Sequence, residues 1–190
     1  MKHLTKVNSV ISMLGLCLAV SNVYAVEAKS STLLYISPND YNYSVHLLSP
    51  YYDYWFAQGP LVEPIAYNAL QAKVSDLALC KANETADRVI RITPYMFYNP
   101  QMQVYHSKLE ATVYSGGGNV LGNYVGEAQQ QGYTSFDTGT RRSINKAYKL
   151  AMQDLMTKIG VDPAAAPTEV SNKLPCGLIG AENKPKINFY

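Results

Sequence analysis

The alternation across residues 103–114 constrains this chain more than any other feature. Tyr105, Leu109, Ala111 and Val113 point one way while His106, Lys108, Glu110 and Thr112 point the other. That period of two is the mark of a strand with one buried and one wet face. A turn cluster, Ser115-Gly116-Gly117-Gly118-Asn119, follows at once. Residues 120–131 then return as the hairpin partner, with Leu121 and Val125 expected on the core side. A sheet face of this kind needs an apolar cover, and the chain supplies one. Ile144, Tyr148, Ala151, Met152, Leu155 and Ile159 recur at helical spacing. Asp137 or Thr138 is the expected N-cap, and Lys158 with Gly160 closes the far end.

The remaining elements fit around that pair. Leu33, Leu34, Tyr35 and Ile36 read as a short strand, stopped by the turn residues Ser37, Pro38, Asn39 and Asp40. A helix is expected over 61–79, from Leu61, Ile65 and Ala69 together with Val62, Ala66, Leu70, Val74 and Leu77. Pro60 and Pro64 fall in or before its first turn, where a missing N–H is harmless. Residues 89–98 alternate with Ile90, Ile92 and Met96 on one side, and Pro94 places that strand at an edge or on a bulge. Strand, helix, three-stranded meander and helix make an α+β two-layer sandwich: an antiparallel sheet with two amphipathic helices packed on one face. One domain accounts for the 190 residues.

Residues 1–25 read as a secretory signal peptide. Lys2, His3 and Lys6 form a basic start, 10–20 an apolar run, and Val23-Tyr24-Ala25 a small-x-small cleavage site. The run is shorter than the ~20 apolar residues that a membrane span needs, so no integral span is expected in the mature chain. Leu16 before Cys17 lacks the small residue of a lipobox, so cleavage after Ala25 is expected rather than acylation. Loss of Lys2 and Lys6 brings the 16 basic side chains level with the 14 acidic ones, which argues against nucleic-acid binding by phosphate neutralisation. It also leaves Cys80 and Cys176, which an oxidising compartment joins most simply as one disulfide. The expected layout is signal peptide 1–25, an α+β domain 26–160, and a tail 161–190 tethered by that bond.

Chemistry is sparse. There is no C-x-x-C, H-E-x-x-H, G-x-S-x-G or phosphate-loop motif. No catalytic residue, metal site or cofactor is expected. His46 lies near Asp40, Ser49 and Asp53, so a hydrolase constellation can be drawn on paper. His106 reads as a solvated histidine on a polar strand face. Gly116, Gly117 and Gly118 join strand to strand, which suits a turn and not an anion cradle. Arg141 and Arg142 open the last helix and are the weak candidates for an anion contact. Asn42-Tyr43-Ser44 and Asn83-Glu84-Thr85 match the glycosylation sequon, which matters only in a eukaryotic source. The binding candidate is the run Tyr51, Tyr52, Tyr54, Trp55 and Phe56, broken only by Asp53. Aromatic rings with polar tips are enriched at interfaces. Trp55 is expected to be buried as an anchor into the first helix, with Tyr51 and Tyr54 outward. The tail from 167 to 190 is the expected cover for any ring that is not used.

This layout resembles small accessory lipoproteins of the bacterial envelope, in particular the auxiliary component of ABC-type lipid transport systems. The matching stretches are Leu33-Leu34-Tyr35-Ile36, Trp55 leading into 61–79, Arg88-Val89-Ile90-Arg91-Ile92, the glycine hairpin and 144–159. The chain departs from that family in lacking the lipobox and in carrying the two cysteines and a long tail. The resulting expectation is an exported, non-enzymatic envelope protein, in the periplasm or associated with the outer membrane or secreted. Its partner would be an envelope protein or a lipid. The alternatives are a small secreted hydrolase centred on His46 and a structural surface or biofilm component.

Overall fold

The structure is a computed structural model that describes residues 31–47, 53–81, 83–133, 137–159 and 172–179. The expected signal peptide, Cys17, Ser49, Tyr51, Tyr52 and most of the tail lie outside the described residues.

Among the described residues the elements run β1 (Thr32–Tyr35), α1 (Pro38–Asn42), β2 (Ser44–Leu47), β3 (Tyr54–Ala57), α2 (Gly59–Gln71), β4 (Leu77–Leu79), β5 (Arg88–Asn99), β6 (Val104–Ser115), β7 (Val120–Gln131) and α3 (Asp137–Ile159). Five strands form one sheet in the order β4-β1-β5-β6-β7, and β2 pairs with β3 separately. The α+β sandwich is therefore the fold. Its β5-β6-β7 meander is antiparallel, but β1 pairs in parallel with both β4 and β5, so the sheet is mixed.

Alternation along β6 settles the layering. Tyr105, Leu109, Ala111 and Val113 are buried with Ile90 and Ile92 of β5 against α2 and α3. On α3 the buried stripe is Thr140, Ile144, Ala147, Tyr148, Ala151, Met152 and Leu155. Neighbours in a strand face opposite ways, so Leu33 and Val89 point to the other side of the sheet. There they meet Ala86, Cys176 and Ile179 in a second, smaller cluster. Cys80 and Cys176 are joined as a disulfide. The described part of the tail is thus a strap over the second face near β1. Lys173 pairs with Asp87, and the Leu174 N–H donates to the Gly116 carbonyl at 2.7 Å.

Several expectations fail here for physical reasons. The helix expected over 61–79 ends at Gln71, and Leu77–Leu79 is β4. Lys73 and Val74 N–H both close on the Leu70 carbonyl, and the Asp76 carboxylate accepts from the Ser31 N–H, steering the chain onto β1. With the helix starting at Gly59, Pro64 lies inside it rather than in the first turn. The Ser37–Asp40 turn is the N-cap of α1: the Asp40 N–H donates to Ser37 Oγ and Ser37 Oγ donates to Asp40 Oδ2. The edge expected at Pro94 is found, by contrast: β1 reaches only to Arg91, so β5 is central before that residue and unaccompanied by β1 after it. Asp137 is the first helical residue of α3 rather than its cap. On β7 the core side carries Tyr124 and Gly126, while Val125 is exposed and Leu121 only half-buried. The register slips between Val113 and Tyr114, which sets Gly122 and Val120 opposite them and leaves Leu121 as the extra residue. The glycine turn forms as expected, with Gly118 in the left-handed region at φ 87° and its N–H on the Ser115 carbonyl.

One buried polar link ties the two helices together. Tyr148 Oη donates to Gln58 Oε1 at 2.7 Å, and neither side chain reaches water. Burial holds the Tyr148 phenol well above its ordinary value. Tyr148→Phe should cost about 1–3 kcal/mol, because the Gln58 oxygen is left buried without its donor. Urea denaturation checks this, and a loss under about 0.5 kcal/mol would show that Gln58 finds another donor.

Candidate functional site

The aromatic run forms the hairpin β2–β3, whose register pairs Val45 with Phe56, His46 with Trp55 and Leu47 with Tyr54. A period of two then sorts its side chains. Val45, Leu47 and Phe56 are buried in the main core, and Tyr54 packs against it. His46 and Trp55 face outward together. This reverses the expectation for two residues: Trp55 is 56% exposed and is no buried anchor, and Tyr54 faces in. Phe56 takes the anchoring position just before α2.

The outward pair is fixed by a single carboxylate. The His46 and Trp55 rings stack at 4.3 Å with 6° between their planes. Asp53 Oδ1 lies 2.6 Å from His46 Nε2 and accepts from Trp55 Nε1 at 3.0 Å. Trp55 therefore presents a large apolar surface whose orientation is set from the edge and from one face. Beside it, Tyr54 is within reach of Asp137 and Arg141. Burial first, and then the hydrogen bond with Asp137, raises its phenol above the ordinary value. Arg141 and Arg142 are both exposed on the first turns of α3.

The hydrolase constellation comes together only in part. His46 and Asp53 meet, but Asp40 is buried in α1, where Ser37 and Arg91 hold it; Arg91 Nη2 stands 3.5 Å from Asp40 Oδ2. Ser49 lies outside the described residues. Among the described residues no three His, Cys, Asp or Glu gather to hold a metal ion. No helix among them is long and apolar enough to cross a membrane.

Sequence reasoning missed a second surface. Past the strap, the outer face of the sheet carries Tyr95 and Phe97, 38% and 53% exposed, with Lys108 over the Tyr95 ring at 5.5 Å and paired to Glu110 at 2.7 Å. Partial burial, then the Glu110 charge, pushes the Tyr95 phenol up to about 12. His106, read as a solvated histidine, is half-buried there, 5.8 Å from the Phe97 ring. The period of two over 89–98 is the signal that finds them, since Tyr95 and Phe97 lie on the side opposite Ile90, Ile92 and Met96. The strap covers Leu33 and Val89 at the other end of this face.

No protein-family model matches the chain, and no curated protein matches it. Among solved structures, a Xanthomonas campestris protein described as DUF330 is similar at a TM-score of 0.47 and 9% identity, covering 68% of this chain and 85% of its own. A minor lipoprotein from Acinetobacter baumannii is similar at 0.41 and 13%, covering 69% and 92%. PelC from Paraburkholderia phytofirmans, a dodecamer, is similar at 0.40 and 14%, covering 67% and 90%. The likeness is partial in each case, and the roles of those proteins are theirs.

Proposed function

We propose that this chain is an exported, non-enzymatic protein of the bacterial cell envelope that binds a protein or lipid partner through the outward side of the β2–β3 hairpin, in a role accessory to envelope transport. The observation that carries the reading is Trp55, exposed yet held in one orientation by His46 and Asp53. A large exposed ring that is already ordered loses little entropy on docking, and tryptophan is the residue type most enriched at binding hot spots. Export is supported by the leader pattern and by a disulfide, which suits an oxidising compartment. The absence of catalytic motifs in the sequence supports the non-enzymatic part.

Trp55→Ala is the test. The thermal midpoint should barely move, since substitutions at exposed sites stay within about 0.5 kcal/mol. Affinity for the partner recovered from native envelope should fall about thirtyfold, the equivalent of a 2 kcal/mol hot spot. Vesicles made from envelope lipids separate the two partner classes: binding to them that is lost in the variant names a lipid. Unchanged capture in both assays would remove the hairpin from the reading. The hydrolase alternative keeps the His46–Asp53 contact as its support, and an activity unaffected by His46→Ala would dismiss it.

A further inference from the structure

The edge strand β7 is twelve residues long, and among the described residues no strand lies beyond it. Long edges of this kind are templates for another strand unless something blocks them. Here α3 reaches over the edge at two adjoining points. The Glu127 N–H donates to Asp154 Oδ2 at 2.9 Å, and Lys158 Nζ donates to the Val125 carbonyl at 2.6 Å. Asp154 and Lys158 also pair with each other at 2.7 Å. In an antiparallel ladder both backbone groups of a residue point to the same side. Val125 and Glu127 therefore aim their N–H and C=O away from β6, and by the same parity so does Asn123.

We propose that the β7 edge is a pairing surface for a second copy of this chain, held closed in the single chain by Asp154 and Lys158. A two-fold antiparallel pairing centred on Val125 sets Val125 against Val125 and Asn123 of one copy against Glu127 of the other. No like charges then lie opposite, and Val125 meets Val125, a β-branched pair. The bonds at the centre of that register need the Val125 carbonyl and the Glu127 N–H. Those are the two groups that the α3 side chains hold. The occupant is a second copy because β7 is complementary to itself in this register.

Analytical ultracentrifugation of the purified protein over a range of concentrations tests the proposal. Asp154→Ala with Lys158→Met should dimerise at least tenfold more tightly than the unaltered chain, and Lys158→Met alone should gain part of that. Adding Asn123→Pro should abolish the gain, since it removes two outward N–H groups per dimer without touching the bonds to β6. Circular dichroism confirms the fold of each variant, and Lys158→Met, which keeps the Asp154 bond, carries the test if the double variant unfolds. Folded variants that associate no more than the unaltered chain would overturn the proposal. So would association that survives Asn123→Pro, or an unaltered chain that already pairs as tightly.

Discussion

Replacing Cys80 and Cys176 by serine should lower the thermal midpoint by about 10–20 °C. The bond closes a loop across a sequence separation of 96 residues. Loop-closure entropy for that length is about 4–5 kcal/mol, and a chain of this size moves about 2–4 °C per kcal/mol. The packing around the bond points the same way. Cys176 and Ile179 are fully enclosed over Leu33, Val89 and Ala86, so loosening the strap returns that cluster to water. The non-covalent ties of the strap oppose this: the Lys173–Asp87 pair, the Leu174 N–H on Gly116 and the Cys176 N–H on the Glu84 carbonyl at 2.8 Å. Each is worth about 1 kcal/mol at most once the strap is free to leave. Calorimetry of the oxidised protein against the double serine variant measures the difference. A drop under about 3 °C would mean that the strap stays down without the bond.

The parts of this fold that are legible in the sequence are those where chemistry alternates visibly. On β6 the polar residues His106, Lys108, Glu110 and Thr112 recur at every second position, and on α3 the apolar stripe is bordered by Lys146, Lys149 and Gln153. Both elements follow directly from period. The hairpin β2–β3 fails that test because Tyr54, Trp55 and Phe56 are all aromatic, so inward and outward positions look alike. Which ring faces out is decided by the pairing of His46 with Trp55, a contact the chain shows only when folded. Strand β4 is hidden for another reason. Val74 and Leu77 keep helical spacing with Leu70, and only the parallel partner β1 makes an extended Leu77–Leu79 the better use of those residues. The site is legible as composition and not as geometry: an aromatic run, an aspartate and a histidine are visible, while the single carboxylate oxygen joining His46 to Trp55 is not. The misplacement of Val125 has the same origin, since one extra residue at Leu121 reverses every side chain after it.

Gly126→Ala should cost about 3 kcal/mol or more, at or beyond the top of the usual range for overpacking. Gly126 is buried in β7 where α3 lies against the sheet. A methyl group there would run into the Ala151 carbonyl oxygen, and it would stand 2.6 Å from Leu155 Cβ and 2.7 Å from Leu155 N. Two of those three atoms are helix backbone, so no rotamer change relieves the clash and α3 must lift as a body. Lifting it stretches the Asp154 and Lys158 bonds on either side of Gly126 and opens the layer around Leu155, Ala151 and Leu109. Alanine gains about 0.5–1 kcal/mol over glycine from the unfolded state, which is too little to offset this. Gly122→Ala is the control on the same strand. There the added methyl meets first the hydroxyl end of Tyr124, at 2.5 Å, with the ring atoms Cζ and Cε2 behind it. A side-chain end can swing where a helix cannot, so that variant should lose about 1 kcal/mol. Urea denaturation of the two proteins reads the difference directly. Equal losses, or a Gly126 variant within about 1 kcal/mol of the unaltered chain, would show that α3 sits on β7 more loosely than its contacts require.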